Sequence, residues 1–198
     1  MGIREDIARY QPFNEQEQRD KAATLAFLDR QEDAFLRSSL LAHMTASAWV
    51  VNPARDKVLM VYHRIYDSWS WTGGHADGDE DLLGVALREV REETGAQRLR
   101  PVSEEIFSLE ILTVDGHEKN GQYVPSHLHL NVTYLIEAEE EQPLRICQAE
   151  NSGVGWFSLE GALAASTEPW FVRRIYRKLN EKLAALDAEA PKDTEQRK

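Results

Sequence analysis

Apolar residues recur with two different periods along this chain, and the switch from one to the other marks where helices give way to strands. Over residues 14–29 (NEQEQRDKAATLAFLD) apolar positions 22, 25, 26 and 28 keep a helical spacing, Asn14 stands where an N-cap is needed, and acids fill the first turn. EDAFLRSSL, residues 32–40, predicts a second helix, so residues 1–41 form a helical lead-in. From His43 the texture changes. TASAWVVN and KVLMVYHR are rich in β-branched and aromatic residues and flank the turn-forming NPARD, which predicts a hairpin. Further strands are expected at IFSLEILTVD (106–115), HLHLNVTYLIEA (127–138) and GVGWFSL (153–159). In the second of these, His127, His129, Asn131 and Thr133 alternate with Leu128, Leu130, Val132 and Tyr134, the pattern of a half-buried strand. Helices are expected over 80–94, near 159–165 and from about 168 to 187. Strands interrupted by helices around one strong central helix predict an α/β sandwich with a mixed sheet. The main domain is expected over residues 42–187, with a disordered tail at 188–198.

Composition narrows the function classes. With 198 residues the chain holds one well-cored domain. A net charge of −11 argues against a general nucleic-acid binder, because a phosphate backbone is met by a basic face. An acidic protein that handles an anionic substrate needs a local cation. Cys147 is the single cysteine, so no internal disulfide forms, and no CxxC or Cys/His cluster in the sequence suggests structural zinc. The N-terminal MGIREDIARYQPF has no basic segment followed by an apolar core, and no run is long enough to span a bilayer. A cytoplasmic protein with no membrane partner is expected.

The informative stretch is GGHADGDEDLLGVALREVREETGA, residues 73–96. At 100° per residue, Leu82, Leu83, Ala86, Leu87 and Val90 share one arc of a helix, and Glu89 and Glu93 fall just beyond its edge with Glu92 beside them. Crowded carboxylates repel one another, and burial worsens the repulsion. As an i, i+4 pair, Glu89 and Glu93 point the same way and can share a divalent ion. Arg88, four residues before Glu92, is placed to orient it. Upstream, the glycine-punctuated GGHADGD brings backbone close to whatever the acids hold, with Asp79 as the expected N-cap and Glu80 and Asp81 in the first turn. Hard oxygen donors of this kind suit Mg²⁺ or Mn²⁺.

The spacing Gly74, Glu80, Arg88-Glu89-Val90, Glu92-Glu93, Gly95-Ala96 resembles the Nudix box, GX5EX7REUXEEXGU, at every fixed position, with Ala96 smaller than the usual last aliphatic residue. Seven fixed residues at set offsets arise by chance roughly once in a hundred million starting points. The resemblance implies a Nudix α/β/α sandwich with a mixed β-sheet and an N-terminal helical extension. It further implies divalent-cation-dependent hydrolysis of a nucleoside diphosphate linked to another moiety. Carried over by position, Glu89, Glu92, Glu93 and the Gly74 carbonyl are implied metal ligands for Mg²⁺ or Mn²⁺, Glu92 an alternative base, Glu80 a supporting acid and Arg88 an orienting partner. Glu150, in AENSGVGWF, is the candidate base outside the box.

Substrate recognition is less legible. His63 and Arg64 end one strand, His75 follows Gly74, and Trp69, Trp71 and Tyr66 precede the glycines, where a ring can stack on a base. His127 and His129 form a His-x-His pair read as a pocket wall, because no third nitrogen ligand is apparent. The proline beyond the box that accompanies ADP-ribose hydrolases is absent, as are the upstream coenzyme A signature and the tyrosine of dinucleoside polyphosphate hydrolases. A small-molecule diphosphate is the expected partner. Two other readings stay open: an isopentenyl-diphosphate-isomerase-like enzyme, since WSWTGGH has some resemblance to that pre-box segment, and a non-catalytic nucleotide sensor. The lead-in either covers the active site or makes a homodimer interface.

Overall fold

Strand β1 (Ala42–Val51) is buried at every position and organises the molecule. The computed structural model describes residues 2–119 and 121–189. β1 pairs antiparallel with β2 (Lys57–His63) through the expected turn, and β3 (Ser68–Ser70) extends β2. β4 (Thr72–His75) runs antiparallel to the first half of β1. After the box helix come β5 (Leu99–Pro101), β6 (Ser108–Val114), the small hairpin β7–β8 (His117–Lys119, Gln122–Val124), and β9 (His127–Ala138), which lies parallel to β1 over its whole length. β5 and β6 pair antiparallel with β9, and β10 (Asn151–Ser158) closes the other side against β2. One parallel pairing within an otherwise antiparallel eight-stranded sheet makes it mixed, as the element pattern predicts.

Two apolar layers cover the sheet. On one face α3 (Leu82–Thr94) packs Leu82, Val85, Ala86 and Val90 against Met44, Ala46, Ala48 and Val50 of β1. Each leucine, valine or methionine among them fully removed from water stabilises the fold by about 1.5–3 kcal/mol. On the other face lie α4 (Leu159–Ala165), α5 (Pro169–Phe171), a π-helical segment Val172–Tyr176 and α6 (Arg177–Glu189). They bring Ile175, Tyr176, Leu179 and Leu183 onto Trp49, Val51, Val58 and Met60. Alternation along β1 sends even positions to the first layer and Trp49 and Val51 to the second. No helix among the described residues is long and apolar enough to cross a membrane.

The lead-in departs from expectation. α1 (Ile3–Arg9) was not legible in the sequence, yet Ile3 and Ile7 are buried in the same cluster as α3. α2 (Glu15–Leu28) forms as predicted, with the Asn14 side chain accepting from Glu17 N at 3.0 Å. It lies along β6, where Asp20 Oδ2 accepts the Ile111 N–H at 3.1 Å and so occupies a strand edge. Residues 32–40 are turns and bends, not a helix. Their role is to tie down a loop, because Arg37 donates from Nε and Nη2 to both oxygens of Asp77 at 2.6 and 2.7 Å. Of the tail expected at 188–198, positions 188 and 189 finish α6, and residues 190–198 lie outside the described residues.

β9 is likewise not half-buried. Asn131 and Thr133 are buried along with their apolar neighbours, because the polar side of the strand faces a buried network instead of water. Thr45 and Ser47 donate to Asn131 Oδ1 at 2.9 and 3.0 Å, and Asn131 Nδ2 and the Thr133 hydroxyl donate to Glu110 Oε2 at 3.1 and 3.0 Å. Period-2 polarity reports which side is polar; whether that side is wet depends on what covers it.

Candidate active site

The box helix begins two residues later than its sequence suggests. Asp81, not Asp79, is the N-cap: its side chain accepts from Gly84 N at 3.0 Å, while Asp79 Oδ1 accepts from Asp81 N at 2.9 Å. Glu80 therefore precedes the helix, exposed and outside the cleft that the other acids line. The helix ends at Gly95, whose φ of 74° is the left-handed conformation a C-cap favours, with its N–H on Arg91 O.

Between these caps the acids take distinct environments. Glu93, placed by wheel geometry at the edge of the core, is 3% exposed. Its Oε1 accepts from Gly73 N at 2.9 Å, and its backbone carbonyl accepts from Asn151 Nδ2 at 2.9 Å. Burial pushes its carboxyl well above the usual range; the Gly73 N–H opposes this, and Glu89, Glu150 and Glu92 add to it. Glu89 is raised for the same leading reason, then by Glu92, with Arg88 working the other way. Glu92 is the most open of the three, its side chain 60% exposed. Arg88 lies nearest Glu89, Nη2 to Oε1 at 3.5 Å, and only 3.9 Å from Glu92, so it is shared among the acids instead of being dedicated to Glu92.

Gly74 faces Glu89 directly: a Cβ there would stand 2.6 and 2.7 Å from the two carboxylate oxygens. Its place opposite Ala46 in the β1–β4 ladder sets that approach. Glu150 reaches the same end of the cleft from the turn before β10, pinned by Arg64 N on its carbonyl at 3.2 Å. Carboxylates from α3 and the β10 turn thus crowd one part of the cleft beside Gly74, with Arg88 among them. Hard oxygen donors in this density fit a small divalent cation.

The cleft, about 1380 Å³, is lined by these acids and by aromatic residues that include Tyr66, Trp71, Trp170 and Phe171, of which Trp71 is buried in the core. Arg37 and Leu40 of the lead-in line it, so the lead-in covers part of the site. His63, His75 and His129 line it as expected. Arg64 and Trp69 do not. Arg64 is exposed between the lining residues His63 and Ile65, and Trp69 packs edge-on against Tyr62 and Phe157, with centroids at 5.5 and 4.7 Å. Cys147 also lies outside the lining.

Sequence reasoning missed His43. It is buried at 4% exposure and stands opposite His129 in the parallel β1–β9 pairing, while His75 pairs with Thr45, two residues along on the same side of β1. His127 is two residues from His129 on β9. The four imidazoles therefore meet, with His43 ring centroids 4.9–5.2 Å from the other three. This overturns the premise that His127 and His129 lack further nitrogen neighbours. Burial, then the neighbouring His75, His43 and His127, push His129 down to about 2. The signal was in the sequence only as four separate histidines; their meeting needs the strand register.

A family model described as NUDIX domain matches residues 41–179. The chain is 33% identical over 112 residues to the m7GpppN-mRNA hydrolase NUDT17 of Xenopus laevis, covering 54% of this chain and 36% of that protein. It is 24% identical over 146 residues to the probable DHNTP pyrophosphohydrolase of Lactococcus lactis subsp. cremoris, covering 73% and 81%. The chain thus spans only 36% of the length of the first of these relatives. A solved C. elegans Ap4A hydrolase binary complex shares the fold, with a TM-score of 0.52 at 21% identity over 73% of this chain and 97% of that one.

Proposed function

The chain belongs to the NUDIX family, and on that premise we propose that it is a Mg²⁺- or Mn²⁺-dependent hydrolase cleaving the diphosphate linkage of a small nucleoside-diphosphate-type metabolite. The observation that carries this reading is the crowding of Glu89, Glu92, Glu93 and Glu150 in one part of the cleft, with Gly74 directly against the Glu89 carboxylate. Glu89, Glu93 and the Gly74 carbonyl would hold the cation, with Glu92 as a further ligand or as base. A divalent ion bound there supplies charge neutralisation on phosphoryl oxygens and an activated water.

The chain's own residues do the rest. Gly73 N–H holds one oxygen of the Glu93 carboxylate, which would leave the other for a cation. Glu92 and Glu150, both solvent-accessible, are the two groups able to take the water's proton and pass it to bulk. The exposed rings of Tyr66 and Trp170 in the cleft lining suit a flat base, whose π-face stacks on aromatic rings. Sequence similarity to an m7GpppN-mRNA hydrolase and a probable DHNTP pyrophosphohydrolase supports a nucleotide-type diphosphate substrate class. With no cysteine in the cleft lining, the isomerase-like alternative lacks the thiol it would need.

The test is product release from ADP-ribose, nucleotide sugars, dinucleoside polyphosphates, coenzyme A and nucleoside triphosphates, each with Mg²⁺, with Mn²⁺ and with chelator. Metal-dependent cleavage of one class is expected. Binding without cleavage of any of them would move the reading to a nucleotide sensor.

The two glycines give a sharper prediction. Gly74→Ala would push only against the flexible end of Glu89, so Tm should hold while the Mg²⁺ concentration for half-maximal rate rises about 10–100-fold, the range seen when a ligand's support is disturbed. Gly73→Ala would instead meet backbone, with Ala46 O at 2.8 Å and Ser47 Cα at 2.9 Å, and should lower Tm. Equal effects of the two substitutions on stability, with no shift in metal requirement for Gly74→Ala, would remove Gly74 from the cation site.

A further inference from the structure

We propose that His43, His75, His127 and His129 form a second metal site, distinct from the box carboxylates, for a transition-metal cation of the Zn²⁺ class. One ligand nitrogen from each lies within 4.8 Å of the others. Four imidazoles without a carboxylate are a poor match for Mg²⁺, which takes oxygen donors, and a good one for Zn²⁺, Cu²⁺ or Ni²⁺.

The hydrogen bonds orient two of the rings for ligation. His43 Nδ1 is 3.0 Å from Ser39 O, and His127 Nδ1 is 2.9 Å from Pro125 O. A carbonyl only accepts, so each Nδ1 carries the proton and donates, which leaves Nε2 of a neutral ring as a lone pair. Imidazole ligands of metals are held this way, through the far nitrogen. For His43 that lone pair is buried with no hydrogen-bond partner, an arrangement that costs stability unless something electrophilic sits against it. His127 Nε2 and His129 Nε2 stand 3.1 Å apart, close to the ~3.3 Å edge of a tetrahedron with Zn–N bonds of ~2.0–2.1 Å.

Strand register, not loop conformation, assembles the four. His43 belongs to β1, His75 to β4, and His127 and His129 to β9, and both β4 and β9 pair with β1. A four-nitrogen site with no open position reads as structural. It would clamp the three strands at the edge of the cleft and fix the end of β4, one residue from Gly74. The proposal does not depend on the hydrolase reading, since it concerns a separate set of ligands.

The experiment is metal uptake by the full chain after chelator treatment, by equilibrium dialysis with Zn²⁺ and by absorption with Co²⁺, which colours intensely when tetrahedral and weakly when octahedral. In excess Mg²⁺, which keeps the box carboxylates occupied, wild type and the Glu89→Gln/Glu93→Gln variant should each take up one equivalent of Zn²⁺ and give the intense Co²⁺ spectrum. His129→Gln, at the half-buried outer member of the cluster, should weaken Zn²⁺ binding by at least about 100-fold, more than an outer hydrogen-bond partner contributes. The wild-type spectrum needs no variant, so a His129→Gln that misfolds leaves the test intact. The proposal falls if no stoichiometric uptake occurs, if Co²⁺ gives the weak octahedral spectrum, or if binding survives His129→Gln and is lost with the two glutamates. In the first case the rings are a purely protein-filled polar patch, with His129 Nε2–H donating to His127.

Discussion

Glu93→Gln should lower kcat/KM about 10²–10⁴-fold, a loss of several kcal/mol of transition-state stabilisation at 1.36 kcal/mol per decade, without lowering Tm. The two halves of this expectation have separate causes. Glutamine keeps an oxygen to accept the Gly73 N–H and keeps the volume of a side chain that is 3% exposed, so the β4–α3 contact survives. What disappears is one negative charge, with Glu89, Glu150 and Glu92 as neighbours, which on the proposed reading meets the cation. In metal-free protein the charge is repelled by its neighbours, so its loss relieves the fold. The checks are steady-state kinetics across Mg²⁺ concentrations and thermal denaturation with chelator. Wild-type activity in a folded Glu93→Gln protein would end the ligand assignment, and a collapse in Tm would mean that Glu93 serves the core first.

Far from the cleft, Glu17→Gln should cost about 3–5 kcal/mol, the range for breaking a buried charge pair, which for a chain of this length is a fall on the order of 10 °C in Tm. Glu17 of α2 is 0% exposed and is the hub that holds the lead-in to the rest. Lys178 and Lys182 of α6 both reach its Oε1 at 3.1 Å, Ser108 of β6 donates to it at 2.8 Å, and Tyr10 OH and Phe13 N donate to Oε2 at 2.5 and 2.7 Å. Lys178, itself 3% exposed, bridges on to Glu110 at 2.8 Å. Removing one carboxylate charge leaves two lysines sharing one remaining acid. Burial pulls Lys182 below its usual value, with Glu17 working the other way.

The same site sets a pH dependence. Burial works against the Glu17 charge, but Lys178, Lys182, the Phe13 N–H and the Tyr10 hydroxyl outweigh it and hold the carboxyl at about 2. Its value in the unfolded chain is ~4.3. The stabilisation is therefore complete above about pH 5 and is lost as pH falls toward 2. Denaturant unfolding of wild type and Glu17→Gln at a series of pH values should show curves well separated at neutral pH that converge in acid. A constant separation down to pH 2 would show that the substitution acts through packing and not through charge.

What residue order alone decided is the chemistry carried on one helix and the class of fold around it. The box is local: its glycines, arginine and glutamates lie within residues 74–96, and helical periodicity already places Glu89 and Glu93 beside an apolar arc. The hairpin of β1 and β2, the long strand β9 and helix α2 are equally local, written in alternation, turn residues and a capping asparagine. Short elements escaped, because α1 has only seven residues and residues 32–40 combine helix-like apolar spacing with no partner that rewards a helix. Tertiary structure decided everything that joins distant positions. Only the parallel β1–β9 register brings His43 to His129, across 86 residues, and only the covering of β6 by α2 and α6 turns a polar strand face into a buried Glu17–Lys178–Glu110 network. It also removed Arg64 and Trp69 from the cleft and put Trp170 and Arg37 in it. Sequence spacing fixes which groups share a face of one element; which faces meet is set by pairing and packing between elements, where burial and strand register outweigh local preference.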